Sequence, residues 1–126
     1  MPYKIMMSVA CIVPLLFSIA FLVVPQFFIL GSYPNAEGLA LEIGITQRYV
    51  MAGMLFFWLC LLFQSRNVEK VDTQKEILLG AAIGFSAMCA VIISLSVFRG
   101  LPLSIPPMIA TGTIAVLSFW SRLKLS

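Results

Sequence analysis

The stretch Ile77–Phe98, ILLGAAIGFSAMCAVIISLSVF, is an apolar run of twenty-two residues without a charge. A helix rises about 1.5 Å per residue, so a run of this length extends roughly 33 Å. The hydrocarbon core of a bilayer is about 30 Å thick. The run therefore predicts a helix that crosses a membrane with some tilt.

Three further apolar runs flank this one and are of similar character. Together they predict four spans, over residues 5–28, 46–63, 76–98 and 104–121. The first run stays apolar past residue 20, which predicts an uncleaved helix rather than a signal peptide. We expect an all-α fold, an integral membrane four-helix bundle, as a single domain over residues 1–126.

The composition supports a membrane location and excludes several functions. Apolar residues make up 61% of the chain and charged residues 10%, against about 45–50% and about 25% in soluble domains. The net charge of +3 is small and scattered, which argues against a nucleic-acid partner. Histidine is absent and the three cysteines lie far apart, so no metal site and no cofactor are expected.

Local signals predict where three of the helices begin. Thr73, followed three residues later by a glutamate, fits a capping box for the third span. Ser104 is the expected N-cap of the fourth span, with two prolines in its first turn. Asn35 is the expected N-cap of a short interfacial helix over residues 36–45.

The basic residues are divided unequally between the two sides of the predicted membrane domain. Only Arg48 and Arg99 fall on one side. The other six share the opposite side: Lys4, Arg66, Lys70, Lys75, Arg122 and Lys124. Cytoplasmic loops carry the excess of basic residues. We therefore expect a bacterial inner-membrane protein with both termini in the cytoplasm.

Small residues indicate where helices approach closely, because lipid gives apolar helices little other reason to associate. In the third span Gly80 and Gly84 form a Gly-x-x-x-Gly motif, and Ala87 continues the same face. The second span offers Ala52 and Gly53. We expect these residues to pack helices within one chain. The alternative is a homodimer through Gly80 and Gly84.

Arg48 stands at the outer end of the second span, where two alternatives remain open. Its side chain either snorkels to the headgroups or turns into the bundle to pair with a carboxylate. Residues before Arg48 are expected to extend the helix, because Tyr49–Phe63 alone extends only roughly 22 Å. Glu42 would lie about 120° from Arg48 around one helix, so their contact requires a bend near Gly44.

The polar residues on this outer side form the candidate ligand-binding cluster. Two arginines with few acids suit an anionic group such as a carboxylate or a lipid phosphate. The cluster comprises Arg48, Arg99, Glu37, Glu42, Gln47 and Tyr49, with Tyr33 beside them. The equally simple reading is that the two arginines are rim charges.

Pro25, Arg48 with Gly53, and the turn Arg99-Gly100-Leu101-Pro102 stand at the ends of the predicted spans. In this layout the chain resembles small bacterial membrane proteins related to the DoxX-like group. The resemblance implies a four-helix membrane bundle and no established chemistry.

The sequence contains no nucleophile–base pair, metal cluster or phosphate-binding loop. We expect a non-enzymatic membrane protein, either an accessory or assembly subunit or a binder of a hydrophobic or anionic ligand. The alternative is a small dimeric transporter or channel with an anion vestibule at Arg48 and Arg99. An enzyme acting on lipid or quinone ranks third. The expected partners are membrane lipid, other membrane subunits or a second copy.

Overall fold

Five helices and the loops between them make up residues 2–125, the part of the chain that the computed structural model describes. Three of them, the first, third and fourth, are long and apolar enough to cross a membrane. The prediction of an all-α chain is confirmed. The helices are α1 (Tyr3–Val23), α2 (Pro25–Ser32), α3 (Gly38–Ser65), α4 (Val71–Arg99) and α5 (Ile105–Lys124).

The first apolar run is divided into two helices at Val24. α1 ends at Val23, and α2 begins with Pro25 in its first turn. Proline has no N–H to continue the hydrogen-bond ladder, and it disfavours helical backbone at the residue before it. Val24 accordingly has φ −132° and ψ 53°. Where the sequence predicts one span over residues 5–28, the structure thus has a long helix followed by a short one.

α3 is one uninterrupted helix of 28 residues. The prediction of a separate interfacial helix over residues 36–45 with Asn35 as its cap is wrong. Gly38, with φ +59°, begins α3 directly, and the following residues form its first turns. No proline lies between Gly38 and Ser65, so nothing stops the helix before the membrane segment. The expectation that residues before Arg48 extend the helix is confirmed.

The starts of α4 and α5 agree only in part with the local signals. α4 begins at Val71, and Thr73 lies inside its first turn, so the predicted capping box is wrong. The side-chain amide of Gln74 instead donates to the carbonyl of Val68 at 2.7 Å and ties the preceding loop to the helix. Ser104 does precede α5, with proline in the first turn, but its hydroxyl makes no capping hydrogen bond.

One hydrophobic core joins the four long helices near one end of the molecule. α1 packs along α3, α4 packs along α5, and α1 also meets α5. Tyr3 of α1 donates from its hydroxyl to the carbonyl of Ser65 at 2.7 Å, so the start of α1 lies beside the end of α3. We call this the core end. Its buried residues are Tyr3, Met6, Met7, Ala10, Cys11, Leu62, Leu78 and Ile114.

Away from the core end, at what we call the open end, the contacts fall into two groups. Phe17, Phe21 and Phe28 form an aromatic cluster between α1 and α2. In the other group, the thiol of Cys89 in α4 lies 3.7 Å from the carbonyl oxygen of Met108 in the first turn of α5. A four-helix bundle packed along its whole length is therefore not confirmed.

α4 has two opposite faces that are packed very differently. Leu78 and Ala82 are buried, and at 100° per residue they share a face with Cys89 toward α5. Gly80 and Gly84 lie about 180° away, and a Cβ added to either glycine would meet no atom within 4 Å. Ala87, on the same face, is exposed. The expected packing of this face within one chain is not found.

The small residues of α3 also differ from one another. Ala52 is buried, and its carbonyl accepts a hydrogen bond from the Ser18 hydroxyl of α1 at 3.0 Å. Gly53 is exposed, and a Cβ added there would meet no atom within 4 Å. α1 therefore packs against α3 at Ala52, while Gly53 lies on the free surface.

Candidate functional site

Arg48 lies on the face of α3 that packs toward α1, and it is half-buried. Its guanidinium carbon is 5.2 Å from the ring centroid of Phe21 in the last turn of α1. Its Nη1 is 3.4 Å from the sulfur of Met51. A guanidinium over an aromatic face is stabilised by about 0.5–2 kcal/mol. The contacts of Arg48 are therefore with an aromatic ring and a thioether.

The register of α1 against α3 gives the position of Arg48 along this helix pair. Ser65 marks the core end of α3, where it accepts from Tyr3. Arg48 lies seventeen residues before Ser65, which is roughly 26 Å along the helix. This distance is slightly less than the thickness of a bilayer's hydrocarbon core, which is about 30 Å.

Arg48 has no ion pair with the acidic residues of the predicted outer cluster in the described part of the chain. Glu42 is exposed on the same continuous helix, so the two side chains project about 120° apart. The bend near Gly44 that would bring them together does not occur. α2 packs there instead, with Ile29 Cδ1 3.0 Å from where a Cβ on Gly44 would lie. Arg48 and Glu42 therefore do not form the pair that was one of the two alternatives for Arg48.

Arg99 and the remaining polar residues of the cluster are exposed. Arg99 ends α4, and Gly100 follows in the left-handed conformation with φ +64°. Glu37 precedes α3, and Gln47 and Tyr49 lie on its surface. Within residues 2–125, none of these side chains is among the hydrogen-bond or ring contacts of Arg48. Their role as one ligand site stays a prediction.

A shallow pocket of about 520 Å³ lies at the junction of α1, α2 and α3. Tyr49 is the one residue of the predicted cluster that lines it. Its other walls are mainly aliphatic and aromatic: Val23, Val24, Pro25, Gln26, Phe27, Leu30 and Ile45. The pocket therefore has no charged side chain among its described lining residues.

A second groove, of about 450 Å³, lies between α1 and α3 toward the core end, and we call it the Arg66 groove. Its walls are mostly apolar, with polar groups concentrated at one end. Arg66, which directly follows the last residue of α3, lies at that polar end. The lining residues are Ser8, Cys11, Ile12, Leu15, Leu59, Cys60, Phe63, Gln64 and Arg66.

The guanidinium of Arg66 is held by two neighbours. Its carbon lies 4.3 Å from the ring centroid of Phe63. Its Nη1 donates to the hydroxyl of Ser8 at 3.4 Å, a long hydrogen bond. Its Nε is buried and has no hydrogen-bond partner in the described part of the chain. Its terminal nitrogens keep N–H donors beyond the one used by Ser8, and such donors at the end of an apolar groove suit an anionic ligand.

Sequence reasoning counted Arg66 only as one of six basic residues on the cytoplasmic side. The groove could not be predicted from the sequence, because it combines residues of α1 with residues of α3. Ser8 and Arg66, which bond across it, are 58 positions apart. The available signal was an arginine placed directly after the last turn of an apolar span. Such a position puts a cation at the membrane boundary.

Chemistry-bearing groups are sparse in the structure. Among residues 2–125, no three histidine, cysteine or acidic side chains come together in a way that could hold a metal ion. Cys11 is buried, Cys60 exposed and Cys89 half-buried, and all three are free thiols. Two other features of the surface are notable. They are the Arg66 groove and the exposed face of α4 that carries Gly80 and Gly84.

The fold and these features define a helical chain with three helices suited to crossing a membrane. Comparison of the chain with protein-family models, with curated proteins and with solved structures finds no match. The resemblance to the DoxX-like group stays a prediction.

Proposed function

We propose that this chain is a non-enzymatic membrane protein that acts as an assembly subunit and associates with a second copy of itself. The observation that carries the proposal is the exposed face of α4 formed by Gly80, Gly84 and Ala87, which we call the glycine face. A Cβ on either glycine would meet no atom within 4 Å. The backbone of α4 is therefore open to another helix along this face.

The proposed setting is a bacterial inner membrane with four crossings. α1, α3 and α4 supply three of them. α5 has 20 residues, or roughly 30 Å of helix, and it packs along α4, which supports a fourth. The six basic residues on the side of the core end favour a cytoplasmic position for both termini. A DoxX-like four-helix arrangement is consistent with this layout.

Physical chemistry favours the glycine face over the other exposed surfaces of the protein as the site of association. An exposed apolar side chain gains little by leaving lipid for another helix, because both surroundings are apolar. Close backbone approach gains dispersion contacts that lipid tails supply less well. The glycine pair is one turn apart on the face opposite α5. Such a face is self-complementary under a two-fold axis.

The proposal is tested by measuring self-association of the full chain in lipid bilayers. Fluorescently labelled protein is reconstituted over a range of protein-to-lipid ratios, and dimers are counted by single-molecule photobleaching. We expect a dimer that dissociates on dilution. Gly84→Leu should weaken association at least about tenfold, equivalent to roughly 1.4 kcal/mol, because the side chain separates the two backbones.

Gly53→Leu is the matched control. Gly53 is also an exposed helical glycine with open space around it, but it lies on α3 and outside the glycine face. Its replacement should change the dissociation constant by less than about twofold, which is roughly 0.4 kcal/mol. A wild-type chain that stays monomeric at every protein density would refute the proposal. So would equal effects of the two leucine variants.

A further inference from the structure

We infer that the Arg66 groove binds one anionic phospholipid from the leaflet at the core end. The acyl chain lies along the apolar walls between α1 and α3, and the headgroup phosphate accepts from Arg66. The inference rests on the membrane insertion proposed above and is independent of self-association through α4. It concerns a different helix pair from the glycine face.

The walls of the groove fit a hydrocarbon chain. Ile12 and Leu15 of α1 are 50% and 42% exposed and face Leu59 and Phe63 of α3 across the groove. The residues that line the length of the groove between its ends are aliphatic, aromatic or cysteine. An acyl chain that moves from the bilayer into the groove stays in apolar surroundings, so the walls discriminate between lipids by shape alone. Discrimination by charge then comes from the contact between Arg66 and the headgroup.

The polar end of the groove fits an anionic headgroup. The terminal nitrogens of Arg66 make one long hydrogen bond, to Ser8, and so keep N–H donors for a ligand. The Phe63 ring holds the guanidinium at 4.3 Å, which limits its freedom before a ligand arrives. Planar guanidinium groups bind phosphate oxygens with two parallel hydrogen bonds. Lys4, exposed one turn before Ser8, adds positive charge nearby.

The depth of Arg66 matches the position of a headgroup. It follows the last residue of α3 at the core end, where Tyr3 bonds to Ser65. The same end carries six of the eight basic residues. Basic pockets between membrane helices on the cytoplasmic side are known to hold anionic headgroups. Charge complementarity and depth together favour an anionic lipid over an apolar peptide as the occupant.

The test is lipid binding to the full chain in neutral detergent, measured by native mass spectrometry. The probes are phosphatidylglycerol, which is anionic, and phosphatidylcholine, which is zwitterionic. We expect tighter binding of phosphatidylglycerol. Arg66→Gln should lower its affinity about tenfold, the effect of losing a charged hydrogen bond. Arg99→Gln, which removes an exposed arginine at the other end, should change it less than about twofold.

Two further arms separate a lipid site from a simple anion site. Ile12→Trp should fill the groove and weaken both lipids, whereas Ile19→Trp should not. Ile19 is 51% exposed on the same helix, closely matching Ile12, and lies outside the groove. Inorganic phosphate in excess should leave the bound lipid in place.

Three results would overturn the inference. The first is an equal loss of phosphatidylglycerol binding in the Arg66 and Arg99 variants. The second is unchanged binding in Ile12→Trp, which would show that the lipid does not occupy the groove. The third is displacement of the lipid by inorganic phosphate, which would show that the headgroup alone is recognised.

Discussion

Replacing Leu78 by alanine probes the core that joins the four long helices. Leu78 is fully buried in the second turn of α4, within a cluster that includes Met6, Leu62 and Ile114. The substitution removes three carbon atoms and leaves a cavity of roughly 80 Å³. At about 24 cal/mol per Å³ this costs about 2 kcal/mol. The free energy of transferring the leucine side chain adds little to this cost, because the chain unfolded in the micelle also surrounds that side chain with apolar groups.

The assay is reversible unfolding of the full chain in mixed micelles of mild detergent and sodium dodecyl sulfate, followed by circular dichroism. Leu78→Ala should lower the free energy of unfolding by about 2 kcal/mol. Leu95→Ala makes the same change on the same helix, but Leu95 is 44% exposed near the open end, so it should cost less than about 0.5 kcal/mol. Equal losses in the two variants would refute the shared core at the core end.

Three further substitutions, one of them with a matched control, test single local features by the same unfolding assay. Tyr3→Phe removes the 2.7 Å hydrogen bond to Ser65 and should cost about 1 kcal/mol; an unchanged free energy of unfolding would contradict the paired helix ends. Gly100→Ala places a side chain at φ +64° and should cost about 1–2 kcal/mol, whereas Gly31→Ala, in open space, should cost nothing. Ser18→Ala removes the hydrogen bond to the α3 carbonyl and should cost about 0.6 kcal/mol; a larger stability after the change would contradict that bond.

The helices themselves were predictable because long charge-free runs leave a membrane segment few alternatives to helix. Ile77–Phe98 lies wholly within α4, and the second run lies within α3. The ends were less predictable, since several residues near an end satisfy the same capping rule. Thr73 fits a capping box, yet α4 begins two residues before it at Val71. Helix ends therefore depend on the loop contacts that local sequence does not contain.

The packing of the small residues could not be predicted from their spacing. A Gly-x-x-x-Gly motif serves contacts within a chain and between chains equally well. Only the structure shows that Gly80 and Gly84 lie opposite the α5-facing side of α4, with open space above them. Ala52 was in the same predicted group and is instead buried against α1. Whether a small residue is buried or exposed therefore depends on which neighbouring helix packs against its face.

The surroundings of the two candidate arginines, Arg48 and Arg66, also depend on contacts between helices that are distant in sequence. The sequence identified Arg48 as unusual, and the structure places its guanidinium over Phe21 of another helix. Arg66 was read as one basic residue among six, because its neighbour Ser8 lies 58 positions away. Pairing across helices depends on register, and register in this protein is set by core packing that no single run of sequence encodes.

Cysteine cross-linking in the membrane tests association through the glycine face most directly. The three natural cysteines are replaced by alanine, and single cysteines are introduced as Gly84→Cys or Ile93→Cys. Ile93 is exposed on the same helix, about 150° around it from the glycine face. Under mild oxidation, association through the glycine face should give a disulfide-linked dimer from Gly84→Cys and little from Ile93→Cys. Cross-linking of the Ile93 variant alone, or of neither variant, would contradict it.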